Sequence, residues 1–264
     1  MKKSTQMIVA LTLALVLALG MTVPAFAKSN FNDTANHWAE DVIKKWGEFG
    51  VLDGYKGDFR PDDAITRAEA AAVISKTLGL NEKVANPFAD LNSNAWYAQY
   101  ILNCYAVGII SADAGKIAPD STITGGEAVA MFKNAFGFAP AVDLTGNAKV
   151  SRAAFVSMID SAVIQYIGKQ GTYKMADGNG IILIAAQGHV GLEGKTSANI
   201  FVSPALRGKT VLFNKATVTG KITVYADDAY VVEYESDITE PTIYGKNTEH
   251  TDKITADIIG IYSF

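Results

Sequence analysis

The hexapeptide Ile65-Thr-Arg-Ala-Glu-Ala70 returns further along the chain as Ile123-Thr-Gly-Gly-Glu-Ala128, and each copy precedes an apolar run with helical spacing. In both copies a threonine precedes a glutamate at the spacing of a capping box, which marks a helix N-terminus. Gly79 and Gly137 follow the two runs, and glycine tolerates the left-handed geometry that ends a helix. The two copies therefore predict two helices at equivalent positions of a repeated unit.

The repeat extends outward from these helices in both directions. Pairs separated by the same interval as the two hexapeptides are Trp38 and Trp96, Gly50 and Gly108, Pro61 and Pro119, and Asp62 and Asp120. The interval is shorter by one position for Phe31 and Phe88 and for Asp33 and Asp90, so the second copy carries an insertion before its tryptophan. Apolar residues from 38 to 49 follow a helical period, with Asp33 or Thr34 as a candidate cap. Each unit therefore predicts a helix, a loop and a second helix.

A third, shorter copy is found at Val150-Ser-Arg-Ala-Ala-Phe155, whose Ser-Arg pair is equivalent to Thr66-Arg67. The stretch 138–149 leaves no room for a first helix, so this copy keeps only the second one. Two departures weaken the pattern. Gly125 stands where the second copy would carry its arginine, and Ala154 stands where the third copy would carry its glutamate.

The motifs Phe31-Asn-Asp-Thr-Ala-Asn-His-Trp-Ala39, Gly50-Val-Leu-Asp-Gly-Tyr55 and Ile65-Thr-Arg-Ala-Glu-Ala70 closely resemble the S-layer homology motif. The resemblance implies a pseudo-threefold helical bundle of three motifs, at residues 28–85, 86–140 and, truncated, 141–168. It also implies anchoring of a secreted protein on a Gram-positive-type cell wall. The implied ligand is a secondary cell-wall polysaccharide, often carrying pyruvate ketals, held in grooves between motifs.

Carried onto this sequence, the resemblance implies six ligand-binding residues: Arg67, Arg152, Asp33, Trp38, Asp90 and Trp96. A pyruvylated sugar is a carboxylate on a polyol, which suits a guanidinium fork beside an aromatic ring. Another interpretation remains open, in which Trp38 and Trp96 are core residues. Arg67 is notable because the helix macrodipole disfavours a cation in the first turn, so another requirement placed it there.

The N-terminus predicts export. Lys2-Lys3, an apolar run from Met7 to Leu19 and Ala25-Phe-Ala27 together form a signal-peptide pattern at residues 1–27. The run is shorter than the ~20 residues of a membrane-spanning helix, and we expect no span in the mature chain. Cleavage before Lys28 removes two of the 23 basic residues and none of the 27 acidic ones, so the net charge becomes −6, which argues against nucleic-acid partners. We expect a protein of the cell wall or cell surface; the oligomeric state stays open.

After residue 168 the pattern changes to short β-like runs separated by Gly, Asn and Asp. Runs begin at Ile181, Asn199, Thr210, Lys221, Tyr230, Thr242 and Asp257. The overall fold class is therefore α+β and multidomain, with an all-α bundle followed by an all-β region at 169–264. A right-handed β-helix is favoured for the second region and a β-sandwich is the alternative.

No catalytic constellation emerges from the sequence. The three histidines are isolated, Cys104 is the single cysteine, and we expect neither a cofactor nor a metal site. Asp227-Asp228 and the pair Glu233 and Glu235 are the acids to weigh for glycan cleavage, although solvated charges are the commoner explanation. The leading hypothesis is a non-enzymatic anchored surface protein. The alternatives are a surface polysaccharide enzyme and a soluble binding protein with vestigial repeats.

Overall fold

The computed structural model of the chain describes residues 31–142, 144 and 146–251. Within them, five α-helices precede an all-β region. The helices are α1 (Glu40–Glu48), α2 (Arg67–Thr77), α3 (Ala98–Ala106), α4 (Gly125–Phe136) and α5 (Arg152–Asp160). The leader predicted at 1–27 and the last predicted strand, from Asp257, lie outside the described residues.

The second helix of each repeat begins where the sequence predicts. Both capping boxes are present: Thr66 and Glu69 cap α2, and Thr124 and Glu127 cap α4. In the shortened copy the Ser151 side chain accepts from the backbone N–H of Ala154, so α5 has a cap without the reciprocal glutamate. The described residues between α4 and α5 contain no partner helix for α5, so the third repeat is reduced to its second half.

The three repeats close on one another through a ring of backbone hydrogen bonds. Ile65 N–H donates to Val150 O at 2.8 Å, Val150 N–H to Ile123 O at 3.2 Å, and Ile123 N–H to Ile65 O at 3.1 Å. These residues occupy the same place before α2, α4 and α5. A second ring, slightly further along each copy, joins Arg67 to Ser121, Gly125 to Ala148 and Arg152 to Asp63. The bundle is therefore pseudo-threefold, even though one arm is truncated.

The first helix of the first repeat differs from the prediction. It starts at Glu40 rather than near Asp33, and its N-cap residue, Ala39, makes no side-chain cap. The Asp33 carboxylate instead accepts from the backbone N–H groups of Phe59 at 2.8 Å and Arg60 at 2.6 Å. Asp33 therefore holds the loop before α2 instead of capping a helix, because two orphan loop donors lie within its reach.

The bundle core is continuous. Ile43, Trp46, Ile74, Ile101, Phe132 and Phe155 are all essentially fully buried. The indole Nε1–H of Trp46 donates to Asp160 Oδ1 at 2.8 Å, which satisfies the polar atom of the largest core side chain and ties α1 to α5. Cys104 is buried in the same core and is inert there, since burial raises the pKa of its thiol to about 12.

The β region is a parallel solenoid of about five turns. Its strands are β1 (Val163–Ile167), β2 (Gly171–Lys174), β3 (Ile181–Ile184), β4 (Val190–Thr196), β5 (Asn199–Val202), β6 (Thr210–Val218), β7 (Ile222–Val224), β8 (Tyr230–Tyr234), β9 (Asp237–Ile238), β10 (Thr242–Ile243) and β11 (Glu249–Thr251). One sheet has the order β1-β3-β5-β7-β10 and the other β11-β8-β6-β4-β2, all paired in parallel. The β-sandwich alternative is wrong, because sandwiches of that kind pair antiparallel strands.

Two details of the solenoid depart from the sequence interpretation. Val163–Ile167, placed there with the helical part of the chain, is strand β1, so the solenoid begins directly after α5. Its corners use residues with positive φ, Lys215 and Glu235 at one and Asp228 and Asn247 at another. Asn247 Nδ2 donates to Asp228 Oδ1 at 3.0 Å, so neighbouring turns also bond to each other at their corners.

The bundle packs on the outer face of the first sheet. Ile181 and Leu183 belong to the bundle core, whereas Ile182 and Ile184, alternating with them on β3, belong to the solenoid core. A strand that is buried on both faces has an unbroken apolar sequence, as Ile181–Ile184 does. No helix in the described ranges has the length and apolarity to cross a membrane.

Candidate functional site

Arg152 lies at the interface between the third repeat and the first, where it is almost fully buried. Its Nε–H donates to Phe59 O at 2.7 Å, and its Nη1 lies 2.6 Å from Glu69 Oε1. The guanidinium also stands over the Phe59 ring, 4.6 Å from the centroid. Burial lowers the pKa of Arg152, and the charge of Glu69 opposes that shift. An arginine remains protonated through such a shift, so the interface contains a buried ion pair.

Glu69 serves two structures at once. Its Oε2 accepts from the backbone N–H of Thr66 at 2.9 Å, as the capping box requires. Its Oε1 accepts from Arg152 and from Arg60, each at 2.6 Å. The carboxylate that starts α2 is therefore also the centre of an Arg–Glu–Arg cluster, which joins the first repeat to the third.

Arg60 is a residue of this cluster that the sequence does not single out as a binding candidate. It has a positive φ of 59°, and the Asp33 carboxylate fixes its backbone. The equivalent loop of the second repeat is held in the same way, since Asp90 accepts from Ile117 and Ala118. The backbone N–H of Ala118 is the main reason that the pKa of Asp90 is lowered. Asp33 and Asp90, which open the two motifs, thus both bind the backbone of the loop before the second helix. In the first repeat this contact fixes the position of Arg60.

Arg60, Glu69 and Arg152 form the floor of a cleft of about 460 Å³. It is lined by Asp53, Gly54, Tyr55, Arg60, Glu69, Trp96 and Arg152. The side chains of Tyr55 and Trp96 are 68% and 63% exposed, so neither is held there by core packing. A cleft with two exposed aromatic rings and two guanidinium groups has the chemistry to hold a sugar that carries an acid group.

Arg67 lies at the interface between the first and second repeats. Its Nη2 is 2.8 Å from Glu127 Oε1, and its Nη1 lies 3.5 Å from Ser111 O. This ion pair accounts for a cation in the first turn of α2, where the macrodipole alone disfavours it. The pair is equivalent to Arg152 and Glu69, with each partner one repeat further on.

At the third interface both members of this pair are missing together. The position of the arginine is Gly125, at the start of α4, and the position of the glutamate is Ala154, in α5. The cyclic hydrogen bonds show that these two positions belong to the same interface, since Gly125 N–H donates to Ala148 O of the third repeat. Because the arginine and the glutamate are both absent, no buried charge is left without its partner. A buried charge without a partner would be costly.

The two tryptophans lie in different surroundings. Trp96 precedes α3, which packs on α2, and it lines the cleft. Trp38 precedes α1, which packs on α5, and is 67% exposed with its ring against His37. The structure thus brings Arg152 and Trp96 together, places Arg67 at another interface, and sets Asp33 and Asp90 behind loops.

The acids weighed for catalysis have structural partners. Asp227 lies 2.7 Å from Arg207 and accepts from the backbone of Lys246, and both contacts lower its pKa. Glu233 lies 2.7 Å from His250, in β11. Glu235 follows the end of β8 with a positive φ, so it does not share a strand face with Glu233 as the i, i+2 spacing suggested. Within the described ranges, no group of three or more His, Cys, Asp or Glu is arranged to hold a metal ion.

Known proteins resemble this chain over its repeats, and some resemble it over most of its length. The family described as S-layer homology domain matches residues 30–71 and 87–129. An exoglucanase, XynX, of Acetivibrio thermocellus is 33% identical over 40% of this chain and 10% of its own length. An S-layer protein of Bacillus thuringiensis subsp. finitimus is 34% identical over 43% of this chain and 14% of its own.

The surface-layer 125 kDa protein of Lysinibacillus sphaericus is 26% identical over 92% of this chain and 20% of its own length. This chain therefore spans a fifth or less of the length of these three relatives. The matched ranges contain α1, the start of α2, α3 and the start of α4, whereas Arg152, on α5, lies outside them. The chain is thus an S-layer homology domain-containing protein of the cell surface.

Proposed function

We propose that this protein attaches to the cell wall by binding a secondary wall polysaccharide in the cleft between its first and third repeats. The observation that carries this proposal is the meeting of Trp96 and Tyr55, both exposed, above the Arg60–Glu69–Arg152 cluster. Two large exposed aromatic rings that line one cleft, rather than lying scattered singly on the surface, are typical of a binding site.

The chemistry of the cleft suits a pyruvylated sugar. A ketal-linked carboxylate accepts two parallel hydrogen bonds from one guanidinium, while a pyranose ring presents C–H groups to an indole face. The formal net charge of the whole chain is −4, so long-range attraction to an acidic polymer is absent. Recognition then depends on the guanidinium groups of Arg60 and Arg152, which share Glu69, since Asp53, the other acid of the cleft, is paired with Lys76.

We propose that the three interfaces differ in competence. The interface with Arg152 has the ion cluster and an aromatic wall. The interface with Arg67 has the ion pair, but the third repeat provides no first helix and hence no tryptophan beside it. The interface with Gly125 and Ala154 retains neither charge. Wall binding is therefore assigned first to the cleft of Arg152 and Trp96.

For the solenoid we propose a display or spacing role without catalysis. Support comes from the engagement of Asp227, Glu233 and Glu235 in structural contacts, and from the long similarity to a surface-layer protein. The domain limits that we propose are 28–85, 86–140 and 141–160 for the repeats. The third is shorter than the expected 141–168 because β1, Val163–Ile167, already belongs to the solenoid.

The proposal is tested by sedimenting the mature protein with purified cell-wall sacculi, before and after chemical removal of the secondary polymer. The expected result is co-sedimentation that disappears with the polymer. Equal binding to stripped sacculi would show that the ligand is peptidoglycan or that retention is non-specific. N-terminal sequencing of the wall-associated protein tests the leader, with Lys28 as the expected first residue.

A further inference from the structure

We propose that Arg60 is the residue that contacts the acid group of the ligand, whereas Arg152 and Glu69 form the support that holds it in place. This inference rests on the proposed function and goes beyond it, because the two motif arginines are Arg67 and Arg152. Arg60 lies outside that motif, in the loop before α2.

Most of the Arg152 guanidinium is already engaged within the protein. Its side chain is 9% exposed, its Nε–H is used by Phe59 O, and its Nη1 faces Glu69. Its guanidinium plane is covered on one side by the Phe59 ring. A ligand that displaced Arg152 from Glu69 would leave this buried carboxylate without one of its cationic partners, which is costly.

The charges on the cleft floor do not cancel. Glu69 carries one negative charge against the two positive charges of Arg152 and Arg60, and Asp53, the other acid of the cleft, is paired with Lys76. One positive charge is therefore left to be matched from elsewhere. The other partner of Arg60 is Asp63, at 3.3 Å, and both side chains are about half exposed. Such a surface pair is weak, and its carboxylate is readily replaced by another. Five N–H donors on one guanidinium also exceed what two carboxylate contacts consume.

The second repeat contains the same loop without an arginine. Ala118 occupies the position of Arg60 in the second repeat, with a φ of 48° against 59° and an aspartate holding its backbone in the same way. The loop therefore forms without an arginine. The side chain of Arg60 is not required by the scaffold, and it is present at an interface that also has an aromatic wall.

The test is calorimetric titration of the full mature chain with two probes, a methyl hexoside bearing a 4,6-pyruvate ketal and the same hexoside without the ketal. Arg60→Ala should weaken binding of the ketal about 10- to 150-fold, since a charge-assisted hydrogen bond is lost. Binding of the plain hexoside should hardly change. Arg60→Lys should recover part of the loss, because a point charge lacks the planar fork.

Two further variants separate ligand contact from structure. Asp63→Ala removes the competing carboxylate and should tighten ketal binding about 2- to 5-fold, whereas a purely structural Arg60 predicts no gain. Lys83→Ala removes an exposed cation outside the cleft and is the charge-matched control, expected to bind as the parent does.

If the parent binds the ketal probe and Arg60→Ala binds it equally well, the inference is overturned while the proposed function stands. An equal loss for both probes would also overturn the inference, because Arg60 would then not recognise the carboxylate of the ketal. If the parent binds neither the probe nor polymer-bearing sacculi, the proposed function itself is overturned.

Discussion

Arg152 Nη1 and Glu69 Oε1 lie 2.6 Å apart and join the last arm of the helical bundle to the first. The other oxygen of the same carboxylate caps α2, and Arg60 binds Oε1 from the cleft side. The Glu69 side chain thus joins the third repeat to the first, caps a helix and holds two arginines on the floor of the candidate binding cleft. A substitution of Glu69 is therefore expected to change the stability of the bundle and the geometry of the cleft together.

Glu69→Ala should therefore destabilise the protein by about 3–5 kcal/mol, because it leaves the buried Arg152 unpaired and removes a helix cap. The comparison variant is Glu127→Ala, which breaks the equivalent box and the pair with Arg67. Glu127 is much more exposed than Glu69, so about 1–2 kcal/mol is expected there. Urea unfolding of both variants measures the difference. Equal losses would show that the interface with Arg152 is not the buried one.

Gly125 and Ala154 are predicted to be energetic partners. Gly125→Arg and Ala154→Glu together should restore an ion pair like that of Arg67 and Glu127, whereas either change alone places one charge without its partner. A double-mutant cycle in thermal or urea unfolding should give a favourable coupling of about 0.5–3 kcal/mol. Strict additivity would mean that these two positions do not face each other.

Gly79→Ala tests the contact between the bundle and the solenoid. Gly79 has a φ of 64°, and an added Cβ would lie 2.8 Å from the Ala205 Cβ and 2.9 Å from Ala185 O. Gly50, with a φ of 75° and open space around its Cβ position, is the matched control for the cost of the backbone geometry. Gly79→Ala should be about 1–3 kcal/mol more destabilising than Gly50→Ala. A difference near zero would indicate that the two regions separate easily.

Cys104 is predicted to be chemically silent in the folded protein. Burial raises the pKa of its thiol from 9.0 to about 12, so the thiol stays protonated and shielded at pH 8. A thiol-reactive reagent should label it only after denaturation. Because the folded state resists the thiolate, the stability that Cys104 contributes should be lost as the pH rises from about 9 towards 12. Cys104→Ala should reduce that alkaline loss; an unchanged alkaline profile would assign it to other groups.

The sequence predicts those features that are encoded by neighbouring residues. The capping boxes at Thr66 and Thr124 follow from a local pattern, and strands β3, β5 and β8 follow from unbroken runs of apolar and β-branched residues. Strand β4 escapes the sequence analysis because it bends beyond Leu192, where Glu193 is exposed and Gly194 has a positive φ. No simple alternation passes through such a corner.

The cleft itself depends on contacts between distant residues, and this limits what the sequence predicts. Arg60 has no local signature, because its position matters only once the third repeat has closed on the first and brought Arg152 to Glu69. Gly125 and Ala154 each stand out as departures from the motif, but their pairing is visible only in the ring of backbone bonds. The resemblance identifies Trp96 and Arg152 separately, and the fold brings them into one cleft.

Wall binding in the cleft of Arg152 and Trp96 is tested most directly by the binding isotherms of the parent, Trp96→Ala and Trp38→Ala to polymer-bearing sacculi. The two tryptophans occupy the same repeat position and are equally exposed, at 63% and 67%, so both variants should fold with parental stability. We predict a loss of about 10-fold or more for Trp96→Ala, whose ring lines the cleft, and a clearly smaller effect for Trp38→Ala. Equal losses, or a greater loss at Trp38, would contradict the assignment of wall binding to the cleft of Arg152 and Trp96.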